Sequence, residues 1–121
     1  MRRFESLDVW KVARQLSLSA YQLTTKSPLE RHFDLRNQIR RAAISIPANL
    51  AEGYGLGTRP QLVRCIRISL GSTYELKTHL ELTRDLELAE LTGVTEVLSS
   101  CDRTIALLIG LLRGLGAKAP S

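Results

Sequence analysis

Histidine, carboxylate, hydroxyl and thiol groups are the side chains from which a catalytic site is built, and their spacing in this chain argues against one. His79 follows Glu75 by four residues in a helical pattern, which sets the two side by side, and His32 stands alone. A carboxylate-bridged metal pair in a helix bundle needs inward carboxylates and Glu-x-x-His pairs on two helices, and neither is written here, so no metal ligand is assigned. Ser45, Ser69 and Ser72 fall inside helical patterns, without a G-x-S-x-G elbow or an attendant base. Cys65 and Cys101 occupy or border apolar seams, where a free thiol behaves as a small hydrophobe. Gly53, Gly55 and Gly57 lack the strand, the lysine and the following Ser/Thr of a phosphate loop and read as a turn. The expectation is a protein with no catalytic residue, no cofactor and no small-molecule substrate.

Anion recognition is the chemistry that remains. The chain of 121 residues carries 17 Lys/Arg against 12 Asp/Glu, a net charge of +5. The excess sits in the first half: residues 1–67 hold 12 basic and 5 acidic side chains, and the rest hold 5 and 7. A charge of this size also keeps a small protein soluble. Its asymmetry nonetheless favours an anionic partner. Arg36 and Arg40 are one helical turn apart, a repulsive spacing that a bridging anion relieves, and Arg41 follows. Arg64 and Arg67 lie on the outer side of a later helix. These five arginines are the expected contacts to nucleic acid, RNA or DNA. With only 5% aromatic residues, contact with the phosphate backbone is expected rather than stacking on bases.

Four amphipathic helices must position these residues. Apolar side chains recurring by threes and fours predict helices over about 7–26, 34–54, 59–85 and 95–113, followed by a short disordered tail. Ser6 is the expected cap of the first helix, Thr58 with Gln61 forms a capping box for the third, and Thr92 or Thr95 is expected to cap the fourth. No strand pattern occurs. Short connections between long helices predict an all-α fold, an antiparallel up-down four-helix bundle. The longest apolar run, residues 105–112, is well short of the roughly 20 residues that span a bilayer. That run is apolar around its whole circumference, which predicts a second buried side and an assembly larger than a monomer. Two cysteines without metal-type spacing, and an opening Met1-Arg2-Arg3-Phe4-Glu5-Ser6 that does not read as a secretory leader, make a cytoplasmic location the expectation.

The second helix carries the most specific pattern. Leu35, Ile39, Ala42, Ile46, Leu50 and Gly53 share one side, and Gln38, Arg41, Ser45, Asn49 and Glu52 form a polar stripe beside them. Pro47 lies inside this helix and cannot donate to the Ala43 carbonyl, which costs about 3 kcal/mol in a regular helix. Ser45 and Asn49 are placed to serve the freed backbone groups. Asn49 and Glu52 are the best candidates for a functional polar pair, read either as a polar network that fixes helix register across an interface or, alternatively, as a ligand site. Arg41 is about 16 Å along the axis from Glu52, too far to pair with it, so another helix or chain must supply its complement. Gly71, within the third helix, suggests a close approach of another backbone.

Gln38, Arg40, Arg41, Ala42, Ser45, Ile46, Pro47, Asn49, Leu50, Ala51, Glu52 and Gly53 resemble the core signature Q-x-R-R-A-x-x-S-I-P-x-N-I-A-E-G of a bacterial four-helix bundle family, the large-subunit (23S) ribosomal RNA intervening-sequence proteins. Phe4, Leu7, Val9 and Trp10 resemble that family's opening, and Gly71-Ser72 with Glu75-Leu76 and Leu80 resembles its third-helix motif. A basic residue usually follows A-E-G in the family. Leu56 stands in the nearest place here, and Arg59 is the candidate substitute. The resemblance implies a bundle that assembles as a ring-like homo-oligomer, a homopentamer, with Ser45, Pro47, Asn49, Glu52, Gly53, Gly71 and Glu75 in structural or interface roles. It is also similar to pentameric bundles with basic surfaces that accompany retroelement reverse transcriptases. The functional expectation is a non-enzymatic nucleic-acid-binding protein or accessory factor of an RNA-protein assembly. The alternative is a protein-protein interaction scaffold with no nucleic-acid role.

Overall fold

The computed structural model describes residues 7–120. Four α-helices account for most of them: α1 (Asp8–Leu23), α2 (Phe33–Leu56), α3 (Arg59–Asp85) and α4 (Leu91–Gly114), with a single 3-10 turn at Leu29–Arg31. No strand occurs among the described residues. The Ser6 cap expected from the sequence lies outside them, as does Phe4 of the family-like opening. α1 packs on α2 and α4, and α3 packs on α2 and α4, so each long helix has two neighbours around a common core.

The apolar periodicity becomes that core. Val9, Ala13, Leu16, Ala20 and Leu23 of α1 are buried, as are Ile39, Ala42, Ile46 and Leu50 of α2. From α3 come Ile66, Ser69, Thr73, Leu76 and Leu80, and from α4 Leu98, Cys101, Leu108 and Leu112. Each fully buried Leu or Ile contributes about 1.5–3 kcal/mol relative to exposure. The buried hydroxyls do not oppose this: Thr73 donates to the Ser69 carbonyl at 2.8 Å, and Thr104 to the Ser100 carbonyl at 2.8 Å. Burial pushes the Cys101 thiol up to about 12, so it stays protonated at neutral pH and acts as a core group.

Helix ends depart from the expected ones in instructive ways. α1 stops at Leu23 rather than near residue 26, because Thr24 folds its hydroxyl back to donate to the Tyr21 carbonyl at 2.6 Å. α3 begins as its capping box requires: Thr58 accepts from the Gln61 backbone N–H, and Pro60 sits in the first turn where no helical N–H bond is lost. α4 starts at Leu91, four residues before the expected position, with Glu90 at its cap and neither threonine in that role. Burial of Val94 in the core draws this first turn into the helix.

The tail also departs from expectation. Residues 115–120 pack back onto the bundle instead of trailing from it: Leu115, Ala117 and Ala119 lie against the core. Gly116, at φ +73°, makes the reversal, with its N–H on the Arg113 carbonyl and the Ala117 N–H on the Leu112 carbonyl. Ile105, Leu107, Ile109 and Leu111 are half-buried within the chain itself, so the apolar circumference of α4 does not by itself call for a second subunit.

The same reversal ends α3 with a less suitable residue. Glu87 has φ +55°, with its N–H on Arg84 and the Leu88 N–H on Thr83. Glycine is the usual occupant of that position, and an acid there also faces the negative end of the helix dipole. Glu87→Gly is expected to raise the unfolding free energy by about 0.5–1 kcal/mol, read as a higher urea midpoint at unchanged m-value.

Candidate nucleic-acid interface

α2 runs unbroken through Pro47 beside a hydrogen-bonded polar stripe, although among the described residues neither Ser45 nor Asn49 bonds the Ala43 carbonyl that Pro47 leaves without its donor. The Asn49 amide donates to both the Ser45 carbonyl and the Ser45 hydroxyl at 2.9 Å. Ser45 Oγ lies 2.8 Å from Ser72 Oγ of α3, and Ser69 Oγ donates to the Ile46 carbonyl, the group bonded to Pro47, at 2.8 Å. Ser69 and Ser72 thus complete a network whose α2 half was legible from sequence. Gly53 lets the helices meet: a Cβ there would lie 2.8 Å from Cys65 Cβ.

Glu52 takes no part in this network. It is exposed and makes no ion pair among the described residues, so within one chain it fixes no register. Asn49→Ala is therefore expected to cost about 1–2 kcal/mol in thermal or urea unfolding, and Glu52→Ala to leave the single chain within about 0.5 kcal/mol of the parent.

The five arginines separate into two groups. Arg36 donates to the Glu30 carbonyl at 3.0 Å and lies over the Phe33 ring. Arg40 donates to Thr24 Oγ1 at 2.8 Å, with its guanidinium 4.3 Å from the Tyr21 ring centroid. Both side chains tie the start of α2 to the preceding turn and to α1, instead of presenting a bare pair to solvent. Arg41 bonds Gln38 and approaches Glu75 of α3 at 3.9 Å, and Glu75 also contacts His79 at 3.3 Å. The complement that Arg41 requires thus comes from a neighbouring helix.

Arg64 and Arg67 sit at the other end of α2, about 20 Å along the axis from Arg40, where Gly53 meets α3. With Arg59, Pro60, Val63 and Ile68 they line an open groove. Arg59 donates to the Leu115 carbonyl at the end of α4, and Arg67 to the Lys118 carbonyl at 3.2 Å. The tail thereby adds Lys118 to this basic surface. Arg59 was noticed in the sequence only as a substitute for a missing base. Lys118 carried no signal there, because the turn at Gly116 decides where it goes.

Gly71 is exposed, and among the described residues nothing outside its own helical turn lies within 4 Å of the position a Cβ would take. The close approach expected there is not made by any described residue. No group of three or more potential metal ligands occurs among the described residues, and no described helix is long and apolar enough to cross a membrane.

Residues 5–110 match the model of the 23S rRNA-intervening sequence protein family. The chain belongs to that family. No curated protein sequence matches it. The matched span contains the network around Pro47, the Gly53 contact and the groove of Arg59, Arg64 and Arg67, whereas the folded-back tail lies beyond it.

Proposed function

We propose that this protein is a non-enzymatic, cytoplasmic helical-bundle protein that binds nucleic acid through the phosphate backbone, with RNA the favoured partner, either directly or as an accessory factor of an RNA-protein assembly. The observation that carries the reading is the groove in which Arg59, Arg64 and Arg67 converge with Lys118 nearby. Among the described residues Arg64 forms no hydrogen bond or ion pair, and Arg67 spends one N–H on the tail, which leaves guanidinium donors for phosphate oxygens. The family's description as a 23S rRNA-intervening sequence protein supports an RNA context. Arg36 and Arg40 are proposed as structural ties rather than ligand contacts.

The proposal includes an antiparallel up-down arrangement and a ring-like homo-oligomer, a homopentamer. Support for the first comes from the order of contacts: Arg41 meets Glu75, Ser45 meets Ser72, and Gly53 meets Cys65, so α3 descends as α2 rises. Support for the second comes from the outer side of this helix pair, where Ile44 of α2 is exposed and Gly71 of α3 is open. A small residue there permits close approach of a second copy, and repetition of the groove would add avidity.

Hydrogen exchange of the protein with and without a structured RNA tests the reading. Protection is expected over residues 59–68 and the tail. Protection confined to the start of α2, or none at saturating RNA, contradicts it.

A further inference from the structure

The three most exposed large hydrophobic side chains of the described residues are Phe33 (61%), Leu86 (62%) and Leu91 (66%). They stand at the start of α2, just past the end of α3 and at the start of α4. Phe33 and Leu86 share a shallow cleft with Leu35 and Leu88, and Leu82, also exposed, lies one turn before Leu86. Scattered exposed leucines need no explanation, but the most exposed ones gathered at one end do.

The charge around this cleft is acidic. Asp34 lines it, Glu87 separates Leu86 from Leu88, and Glu90 precedes Leu91. None of the three carboxylates forms an ion pair among the described residues. Of the nearby bases, Arg84 pairs with Asp85, whereas Arg36, on the Glu30 carbonyl and over the Phe33 ring, keeps its charge, as does Arg31. The acidic excess is therefore on the side of Leu86 and Leu91, at Glu87 and Glu90.

Asp34 and Glu90 are at helix N-termini, where an acid stabilises the fold. Glu87 is not. It occupies a positive-φ position and the negative end of the α3 dipole, and no base pairs with it among the described residues. A residue held against two local preferences points to a role outside folding.

We propose that this end of the molecule is a docking surface for an amphipathic basic segment of a partner protein, whose apolar face covers Phe33, Leu86 and Leu91 and whose Lys or Arg pairs with Glu87. The surface is distinct from the arginine groove and does not rest on nucleic-acid binding. Charge complementarity selects this occupant: an acidic or nucleic-acid partner is repelled by the three free carboxylates, whereas a basic helix gains charge pairs around an apolar centre.

The test uses a synthetic Leu/Lys amphipathic helix and the same helix with Glu in place of Lys, titrated into the isotope-labelled full chain and followed by amide shifts. The Lys peptide is expected to bind with shifts centred on residues 33, 86, 87 and 91, and the Glu peptide to bind at least tenfold more weakly. Glu87→Gly, which the fold tolerates or prefers, is expected to lower affinity about tenfold while raising the unfolding midpoint, a combination that a structural role does not produce. Phe33→Ser with Leu86→Ser is expected to abolish the shifts. Equal binding of both peptides, shifts elsewhere, or parent affinity in Glu87→Gly overturns the proposal. So do concentration-dependent shifts at these residues without peptide, which would assign the surface to a second copy of the chain.

Discussion

Gly53→Ala is expected to lower the stability of the chain by about 2 kcal/mol, and Gly53→Val to prevent folding. The added methyl group would meet Cys65 Cβ at 2.8 Å and Leu62 Cδ1 at 3.2 Å, with the Leu62 backbone at 3.4 Å. The nearest atom belongs to the stem of a buried side chain, so no rotamer change relieves the contact. α2 and α3 must instead separate by roughly 1 Å to reach ordinary van der Waals distance. Separation strains the Ser45–Ser72 and Ser69–Ile46 bonds that serve the turns around Pro47. Overpacking of this kind costs about 1–3 kcal/mol or more, and the better helix propensity of alanine returns less than about 1 kcal/mol. Gly71→Ala is the internal control. Nothing lies within 4 Å of its Cβ position, so the single chain is expected to gain up to about 1 kcal/mol. Urea unfolding of both variants reads the contrast directly, and a Gly53→Ala chain as stable as the parent would mean that the helices do not meet there.

Arg64→Ala with Arg67→Ala is expected to weaken binding to structured RNA about 100-fold at roughly 50 mM salt. Each lost phosphate contact removes about 0.9 from the slope of log affinity against log salt, and two contacts extrapolated from 1 M salt amount to about two decades. Arg36→Ala with Arg40→Ala removes as much charge, yet is expected to change RNA affinity less than about threefold. Those guanidiniums are committed to Glu30, Thr24 and the rings of Phe33 and Tyr21. The cost of that pair is expected in stability instead, about 1–2 kcal/mol, because Arg40 leaves the buried Thr24 hydroxyl and the Tyr21 face uncovered. Equal RNA affinities for the two double variants would show that total charge, not the groove, governs binding.

Why one pair and not the other was legible in the sequence follows from what periodicity encodes. A repeat of threes and fours reports which face of a helix is apolar, so the seams of α1, α2, α3 and α4 were readable residue by residue. The Thr58 cap and the polar stripe of α2 were readable for the same reason, since both depend on neighbours within one helix. Contacts between elements are not local. Arg36 and Arg40 have the spacing of an open cationic pair, and only the path of the chain through residues 24–33 shows that both are occupied. Glu52 shares a stripe with Asn49 but not a partner, because the identity of the facing α3 residues changes along the seam from serines to Leu62 and Cys65. The tail was unreadable because the reversal at Gly116 needs carbonyls at the end of α4 to be free, a property of the helix end and not of the sequence that follows it.

The central claim is that Arg64 and Arg67 meet phosphates. It is tested most directly by the slope of log affinity against log salt, measured by fluorescence anisotropy with one structured RNA for the parent and the Arg64→Ala/Arg67→Ala chain, after light scattering shows equal assembly. A steep parent slope that becomes shallower by about 1.8 for each engaged subunit is the predicted result. An unchanged slope in the variant, or no binding by the parent at about 50 mM salt, would contradict it.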